Sequence, residues 1–285
     1  MTLRTFYKLY YQHRKLKANI ILKIYLFIII PFKYLINLIY LPKIINLDNY
    51  PDNFSKKIDL NLSVLFDHFN SDKGNYYENQ YVQPIKRTNE KIKAHGYSKY
   101  YEKYFYQLKN QNLNILEIGS FHGNASAALF FYFKNSKLFA GDIYPDLFRY
   151  RSRRIKNFYV NSSEEKSIQD NIIDKFNNKF DIIIEDAGHS LKDQIISLFM
   201  LFKKLNKGGL FIIEELDFPD KRKDMNLLNE KPTLREILLN FKNSGTILES
   251  KYISINEKDY FLKNIESIEI FKGNFNEIAI LKKNN

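Results

Sequence analysis

Two short runs in the sequence gather groups that could do proton and cation chemistry. Glu185-Asp186-Ala187-Gly188-His189 closes the apolar stretch Asp181–Glu185, and Glu214-Glu215 closes Gly209–Glu214. Both stretches read as strands, and ligands of parallel sheets bind beyond the carboxyl ends of the strands. The side chains at these two tips are therefore expected to converge. Asp186, Glu214 and Glu215 would offer three oxygen ligands to a hard divalent cation, Mg²⁺ (or Mn²⁺), which keeps positions open for water or substrate. Zinc fits poorly, because the chain has no Cys and this region a single His. His189, three residues beyond Asp186 at the start of a helix, could reach the same place. Its neutral imidazole is a base at pH 7. A hydroxyl is too weak an acid for His alone; a cation that stabilises the developing alkoxide lowers that cost. In-line positioning of the acceptor would supply much of the rest. Each group alone has an ordinary use as a helix cap or surface residue. The weight lies in five of them at two adjacent tips.

A second run suits a cofactor. Glu117-Ile118-Gly119-Ser120-Phe121-His122-Gly123 joins the strand Asn114–Ile118 to a helix, where a tight turn lets backbone approach a ligand and free N–H groups point outward. The middle glycine of a dinucleotide loop is missing, which argues against a pyrophosphate. An acidic residue inside the motif, Glu117, suits the ammonium of S-adenosylmethionine, with Gly119 and Gly123 shaping the turn. Asp142 ends the next strand, Lys137–Asp142, where a carboxylate can accept hydrogen bonds from both ribose hydroxyls. Asn161 and Ser162, followed by Ser163, come after a weak third strand at Phe158–Val160, where an adenine would lie.

These runs need a particular scaffold. From Asn114 onward short β-rich segments alternate with helical ones, including His189–Leu205 and Thr233–Phe241, as in a parallel sheet of βαβ units. Ser267–Phe271 and Glu277–Leu281, joined by five residues, predict a hairpin. A mostly parallel sheet finished by an antiparallel hairpin is the Rossmann-like α/β arrangement of class I methyltransferases, not of nicotinamide-binding dehydrogenases.

Composition sets the limits. With 285 residues, 45% hydrophobic and 27% charged, the chain can bury one catalytic-size domain and an appendage. Residues 1–47 hold eight Lys and Arg and no Asp or Glu; the rest carries 36 basic and 32 acidic residues. The net charge of +12 is thus mostly that of the N-terminal segment. This argues against a nucleic-acid partner, which would want a basic face on the domain itself. Ala18–Leu41 is nearly apolar, but Lys23 and Lys33 interrupt it and Pro31 is expected to break the helix. Asn19 and Lys23, like Lys33 and Asn37, share a face, so an amphipathic helix lying on a membrane is expected, with Lys8, Arg14, Lys15 and Lys17 toward anionic headgroups. Packing on the domain or a homo-oligomer contact is the other reading. No small-residue cleavage site follows, so a signal peptide is not expected. The expected location is cytoplasmic and peripheral on the inner membrane face. Asp48–Lys57 reads as a linker to a catalytic domain over 58–285.

At these residues the sequence resembles the metal-dependent sugar O-methyltransferases of the macrolide type. Five stretches, from about Ser71 to the C-terminus, carry the likeness. Ser71-Asp72-Lys73-Gly74 resembles the family's T-D-K-G, and His95-Gly-Tyr97-Ser-Lys-Tyr-Tyr101-Glu102 its H-x-Y-x-x-x-Y-E. Leu116–Ser126 resembles its cofactor loop, Glu185–His189 its D-D-G-S-H, and Ile213-Glu214-Glu215-Leu216 its I-E-D-L. The resemblance implies that Asp186, Glu214 and Glu215 bind Mg²⁺ and that His189 is the general base. It also implies that Glu117, Gly119 and Asp142 hold S-adenosylmethionine, with Asp72 and Lys73 beside them. The acceptor's identity does not carry over from the resemblance; a sugar hydroxyl of a glycan or glycolipid precursor is expected, the glycolipid part because of the N-terminal membrane helix. The alternatives are a small metabolite, or a binding module that kept the fold without catalysis. The sequence departs from the family by an insertion over Asn75–Ala94 and by the basic N-terminal helix. Arg149, Arg151, Arg153 and Arg154 are expected on a solvated helix face, and the aromatic run Tyr97–Tyr106 mostly in helix packing.

Overall fold

The computed structural model describes residues 1–12, 19–50, 61–80 and 88–285. Seven strands form one sheet: β1 (Asn114–Ile118), β2 (Lys137–Asp142), β3 (Ile155–Tyr159), β4 (Phe180–Glu185), β5 (Leu205–Ile213), β6 (Ile265–Lys272) and β7 (Glu277–Lys283). Their order is 3-2-1-4-5-7-6, parallel from β3 through β5, with β7 antiparallel to both β5 and β6. The sheet is the expected class I methyltransferase arrangement. Its centre is buried on both faces, so β1, β2, β4 and β5 read as nearly continuous apolar runs. Successive residues still alternate. Leu116, Ile118, Ile183, Phe211 and Ile213 face one apolar layer, while Ile115, Ile182, Ile184, Leu210 and Ile212 face the other.

Among the described residues, the helices of seven residues or more are α1 (Leu3–Tyr10), α2 (Ile20–Tyr40), α3 (Leu62–His68), α4 (Ser98–Phe105), α5 (Asn124–Tyr132), α6 (Leu191–Leu201), α7 (Leu234–Ser244) and α8 (Ile255–Asn264). Leu191 and Ile195 of α6, Leu234 and Leu238 of α7 and Phe261 of α8 fill the first layer. Leu65 of α3, Tyr101 and Phe105 of α4 and Leu129 of α5 fill the second. Capping residues mark several starts: Ser190 accepts from Asp193 N, and Thr233 and Ser254 each form a reciprocal box with the glutamate three residues on.

Several expectations need correction. The edge strand β3 begins three residues earlier than predicted; one edge strand needs only Phe158 buried, so its sequence signal is faint. β5 starts at Leu205, ahead of a register shift against β4 that the left-handed Gly208 accommodates. Helix α8 is an addition to the predicted elements, and Ser254 and Glu257 spell its capping box. α2 runs through Pro31 unbroken, losing only that residue's N–H bond while Leu26 and Ile30 pack on α1. The arginines after β2 do not share a helix face. Arg154 stacks on Phe130 at 3.7 Å and donates to the carbonyls of Phe130, Phe133 and Ser136, which closes the end of α5. Arg149 is buried. Within the Asn75–Ala94 insertion, Tyr76–Glu78 pairs with Lys91–Lys93; residues 81–87 lie outside the described residues, as do 51–57 of the expected linker, 58–60 of the expected domain, and Arg14, Lys15 and Lys17.

Candidate active site

Register brings the acidic tips together. Glu185 pairs with Ile213 across β4 and β5, so Asp186 and Glu214 leave the sheet side by side. Asp186 N donates to Ile118 O at 2.9 Å and Glu214 N to Glu185 O at 3.0 Å, which fixes both exits. Gln194 of α6 donates to the carbonyls of Glu214 and Glu215 at 3.4 and 3.0 Å and holds the second loop in place. His189 and Glu215 sit at φ 53° and 48°, in the left-handed region that a branched or long side chain avoids. Such strain persists only where surrounding contacts impose it, and it gathers at functional sites.

Ligand atoms of Asp186, His189 and Glu215 all lie within 4.8 Å of one another. His189 Nε2 is 3.7 Å from Asp186 Oδ1, and its Nδ1 is 3.7 Å from Glu215 Oε2. Both Nδ1 and Oε2 are buried without a hydrogen-bond partner. Glu214 faces the same cluster but is engaged otherwise: its Oε2 accepts from Lys73 Nζ at 3.0 Å and its Oε1 from the Tyr101 hydroxyl. Lys73 also donates to Asp186 Oδ2 and lies 3.8 Å from Asp72 Oδ1.

One internal ammonium therefore faces Asp72, Asp186 and Glu214. Burial would push Lys73 toward neutrality, but the Asp186 and Glu214 carboxylates outweigh it and hold the lysine well above its ordinary range. Burial, followed by repulsion from Asp186, drives Glu214 and Glu215 far above the usual carboxylate range, and burial raises Asp186. Burial, then the charge on Lys73, lowers His189 to about 4, so its imidazole is neutral at pH 7.

A surplus of crowded carboxyls and two orphaned buried atoms are what a divalent cation would relieve. The residues present fit such an ion, with Asp186, Glu215 and His189 nearest and Glu214 requiring release from Lys73 to join.

Three sequence expectations change here. Glu185 does not join the cluster. Adjacent strand residues point to opposite faces, and its carboxyl is fully buried, with burial and then Asp193 raising it to about 8. Asp72 and Lys73, expected at the cofactor, belong to the carboxylate cluster. His95, Tyr97 and Tyr101 carried no assigned role in the sequence, yet all reach the tips. His95 Nε2 is 3.3 Å from Glu215 Oε1, and the Tyr97 hydroxyl donates to the same oxygen at 3.4 Å. The aromatic run gave the signal, since Tyr97 and Tyr101 fall one turn apart.

Beside the cluster lies a cavity of about 250 Å³ lined by Gly119, Phe121, Asp142, Asn161, Ser162 and Asp186, among others. Asp142 fixes its floor: Oδ2 accepts from Phe121 N at 2.8 Å and Oδ1 from Tyr144 N at 2.6 Å. A Cβ on Gly119 would sit 1.9 Å from Asp186 O, so this glycine permits the close approach of the two loops. Gly123 serves packing instead: the Phe148 ring occupies the place of a Cβ, 2.4 Å away. Glu117 does not line the cavity. It accepts from the Ser126 hydroxyl, and burial, partly offset by Lys73, raises it to about 7. Gly119, Asp142, Asn161 and Ser162 thus surround one space, in keeping with a nucleoside, while Glu117 and Gly123 stand outside it.

No family model matches the chain. Over 139 residues it is 27% identical to the 8-demethyl-8-alpha-L-rhamnosyl tetracenomycin-C 2'-O-methyltransferase of Streptomyces olivaceus, covering 46% of this chain and 36% of that protein. It is also similar to the MycE methyltransferase from the mycinamycin biosynthetic pathway, solved with Mg, SAH and mycinamycin VI. There the TM-score is 0.56 at 17% identity, over 79% of this chain and 55% of that one. A second crystal form with Mg and SAH gives 0.58, over 79% and 54%. The chain therefore spans about a third of the curated relative and about half of these solved structures. The methyltransferase fold is shown, and both proteins fall in the group that the sequence motifs resemble.

Proposed function

We propose that the chain is an S-adenosylmethionine-dependent O-methyltransferase that uses a divalent cation and acts on a sugar hydroxyl of a glycan or glycolipid precursor. One observation carries the reading. Asp186 lines the nucleoside-sized cavity and is also a member of the cation-sized cluster, so donor and cation share a wall. In this reading Asp142 accepts the ribose hydroxyls, Asn161 and Ser162 border the base, and Gly119 lets backbone approach the cofactor. S-adenosylmethionine supplies a methyl on a sulfonium.

His189, neutral and flanked by Asp186 and Glu215, takes the proton from the acceptor hydroxyl. The oxygen then bonds to the methyl carbon as the carbon–sulfur bond breaks, leaving its electron pair on a neutral thioether. The N–H so formed on the ring faces oxygens of Asp186 and Glu215 3.7 Å away. Mg²⁺ (or Mn²⁺) held by Asp186 and Glu215, with Glu214 beside them, would supply positive charge next to the acceptor oxygen.

The experiment is transfer of labelled methyl to purified glycans and rhamnosides, with chelator and after adding back Mg²⁺ or Mn²⁺. Turnover that stops in chelator and returns with metal is expected; undiminished turnover removes the cation from the mechanism. The curated relative is named for a glycosylated natural product, which favours a sugar on a small molecule as the second reading. Preference for the rhamnoside over every glycan would select it.

A further inference from the structure

The two N-terminal helices form a hairpin with its own small core: Phe6, Tyr10 and Tyr11 pack against Leu26 and Ile30. Tyr34 of α2 donates to Met1 O at 2.9 Å. The hairpin is fastened to the catalytic domain through α1. Thr5 Oγ1 donates to Asp146 Oδ1 at 3.0 Å, Thr2 N donates to the other oxygen, and Lys8 lies over Tyr144. Leu9 of the same helix lines the cavity that holds Gly119, Asp142, Asn161 and Ser162.

The rest of α2 is uncovered. Its 21 residues span about 31 Å. Only Leu26, Ile30 and Asn37 are buried, while Ile21, Phe27 and Ile39 are at least 75% exposed. A soluble surface seldom leaves so large an apolar patch bare. What covers it is indicated by charge: residues 1–47 carry eight Lys and Arg and no acid, the complement of an anionic surface. Between the helices an apolar groove of about 390 Å³, lined by Leu3, Tyr7, Leu26 and Ile30 with Arg4 at hand, would take an acyl chain with its headgroup.

Geometry also selects the mode of attachment. A spanning helix would put its middle at the bilayer centre. The middle of α2 is instead tied to α1, which is tied to Asp146 of the catalytic domain. We infer that the hairpin docks flat on an anionic lipid bilayer through the exposed face of α2, and that this docking holds α1 in place as one wall of the cofactor cavity. The cofactor half rests on the function proposed above. Donor binding and membrane attachment would then be coupled, and by linkage each would favour the other.

The chain has no Trp, so Phe27→Trp gives a single reporter. With phosphatidylglycerol vesicles its emission should shift to the blue, weaken at high salt, and be quenched best by bromines near the headgroup end of the acyl chains. Phosphatidylcholine vesicles should give little change. S-adenosylhomocysteine, titrated calorimetrically into the full chain, should bind at least about fivefold tighter with phosphatidylglycerol vesicles than without. Asp146→Asn should keep vesicle binding and lose that difference; Thr5→Val tests the same tether should the first variant fail to fold. Quenching strongest at the chain ends would mean a span and overturn the proposal. So would a lipid-free dimer that buries the reporter, or an unchanged affinity. Absence of S-adenosylhomocysteine binding in both arms would overturn the cofactor assignment and the coupling with it. The reporter signal separates that failure from a failure to meet the membrane.

Discussion

The cofactor cavity and the carboxylate cluster share Asp186 but are built in different ways. The cavity is assembled largely from residues immediately past strand ends. Its lining includes Gly119, Asn161 and Ser162 beside Asp142, which is tied to its own neighbourhood through Phe121 N and Tyr144 N. The cluster draws Asp72 and Lys73, His95 and Tyr97, Tyr101, Asp186 and His189, and Glu214 and Glu215 from across the chain; Lys73 and Glu214 are 141 residues apart. Its groups are titratable, buried and mutually dependent. One region should tolerate the loss of single groups, and the other should not.

The largest effect is expected at His189. Removing the base by His189→Ala should lower turnover by about 10²–10⁴-fold, while cofactor affinity measured by calorimetry stays within about twofold, since the ring does not line the cavity. Parallel loss of both would mean that the histidine holds the loop and does no chemistry.

Lys73→Met comes next and tests dependence within the cluster. It strands Asp186 and Glu214 without their internal cation, and breaking a buried pair in this way costs about 3–5 kcal/mol. The thermal midpoint should fall by roughly 6–20 °C, and Mg²⁺ should restore part of the loss by taking over the charge. A midpoint unchanged in the absence of metal would show that the lysine is not the cluster's counter-ion.

On the cavity side, Asp142→Ala should weaken cofactor binding by an amount like the loss of a charged hydrogen bond, about 1.5–3 kcal/mol or roughly 10–150-fold. Turnover at saturating cofactor should hold. A fall in turnover at saturation, with affinity intact, would move Asp142 from the cofactor to the chemistry.

The same contrast explains what could be read in advance. Strands β1, β2 and β4 were legible because buried parallel strands are short, apolar and bounded by turns. Asp142, Asp186 and Glu214 were legible because a strand end fixes where its next residue goes. Lys73, expected beside the cofactor, contacts Asp186 and Glu214. Its position depends on the segment after α3 folding over the sheet tips, which no local pattern encodes. His95, Tyr97 and Tyr101 were visible as a motif but not as partners of Glu214 and Glu215, because that pairing spans more than a hundred residues. Glu117 and Gly123 sat in the right loop, yet only the Ser126 hydroxyl and the Phe148 ring show that they face away from the cavity. Pro31 misled because a proline interior to a helix usually breaks it, and here packing on α1 spans the site.

The smallest effect is the sharpest test of where the cluster ends. Glu185 is adjacent to Asp186 and just as acidic in sequence, yet strand alternation turns it toward α6, where Asp193 is its charged neighbour. With the carboxyl raised to about 8 it is already neutral at pH 7, and an amide of the same shape replaces it with little change. Glu185→Gln should therefore leave Mn²⁺ affinity, measured by electron paramagnetic resonance, within about twofold, and stability within about 0.5 kcal/mol as for changes that break no partner. Glu215→Gln removes a carboxylate from the cluster itself and should weaken Mn²⁺ at least about tenfold, in line with the loss of one charged contact. Equal losses in the two variants would place Glu185 at the cation after all. Equal indifference would mean that the ion, if it binds, is held elsewhere, and that buried repulsion alone accounts for the crowding at the two tips.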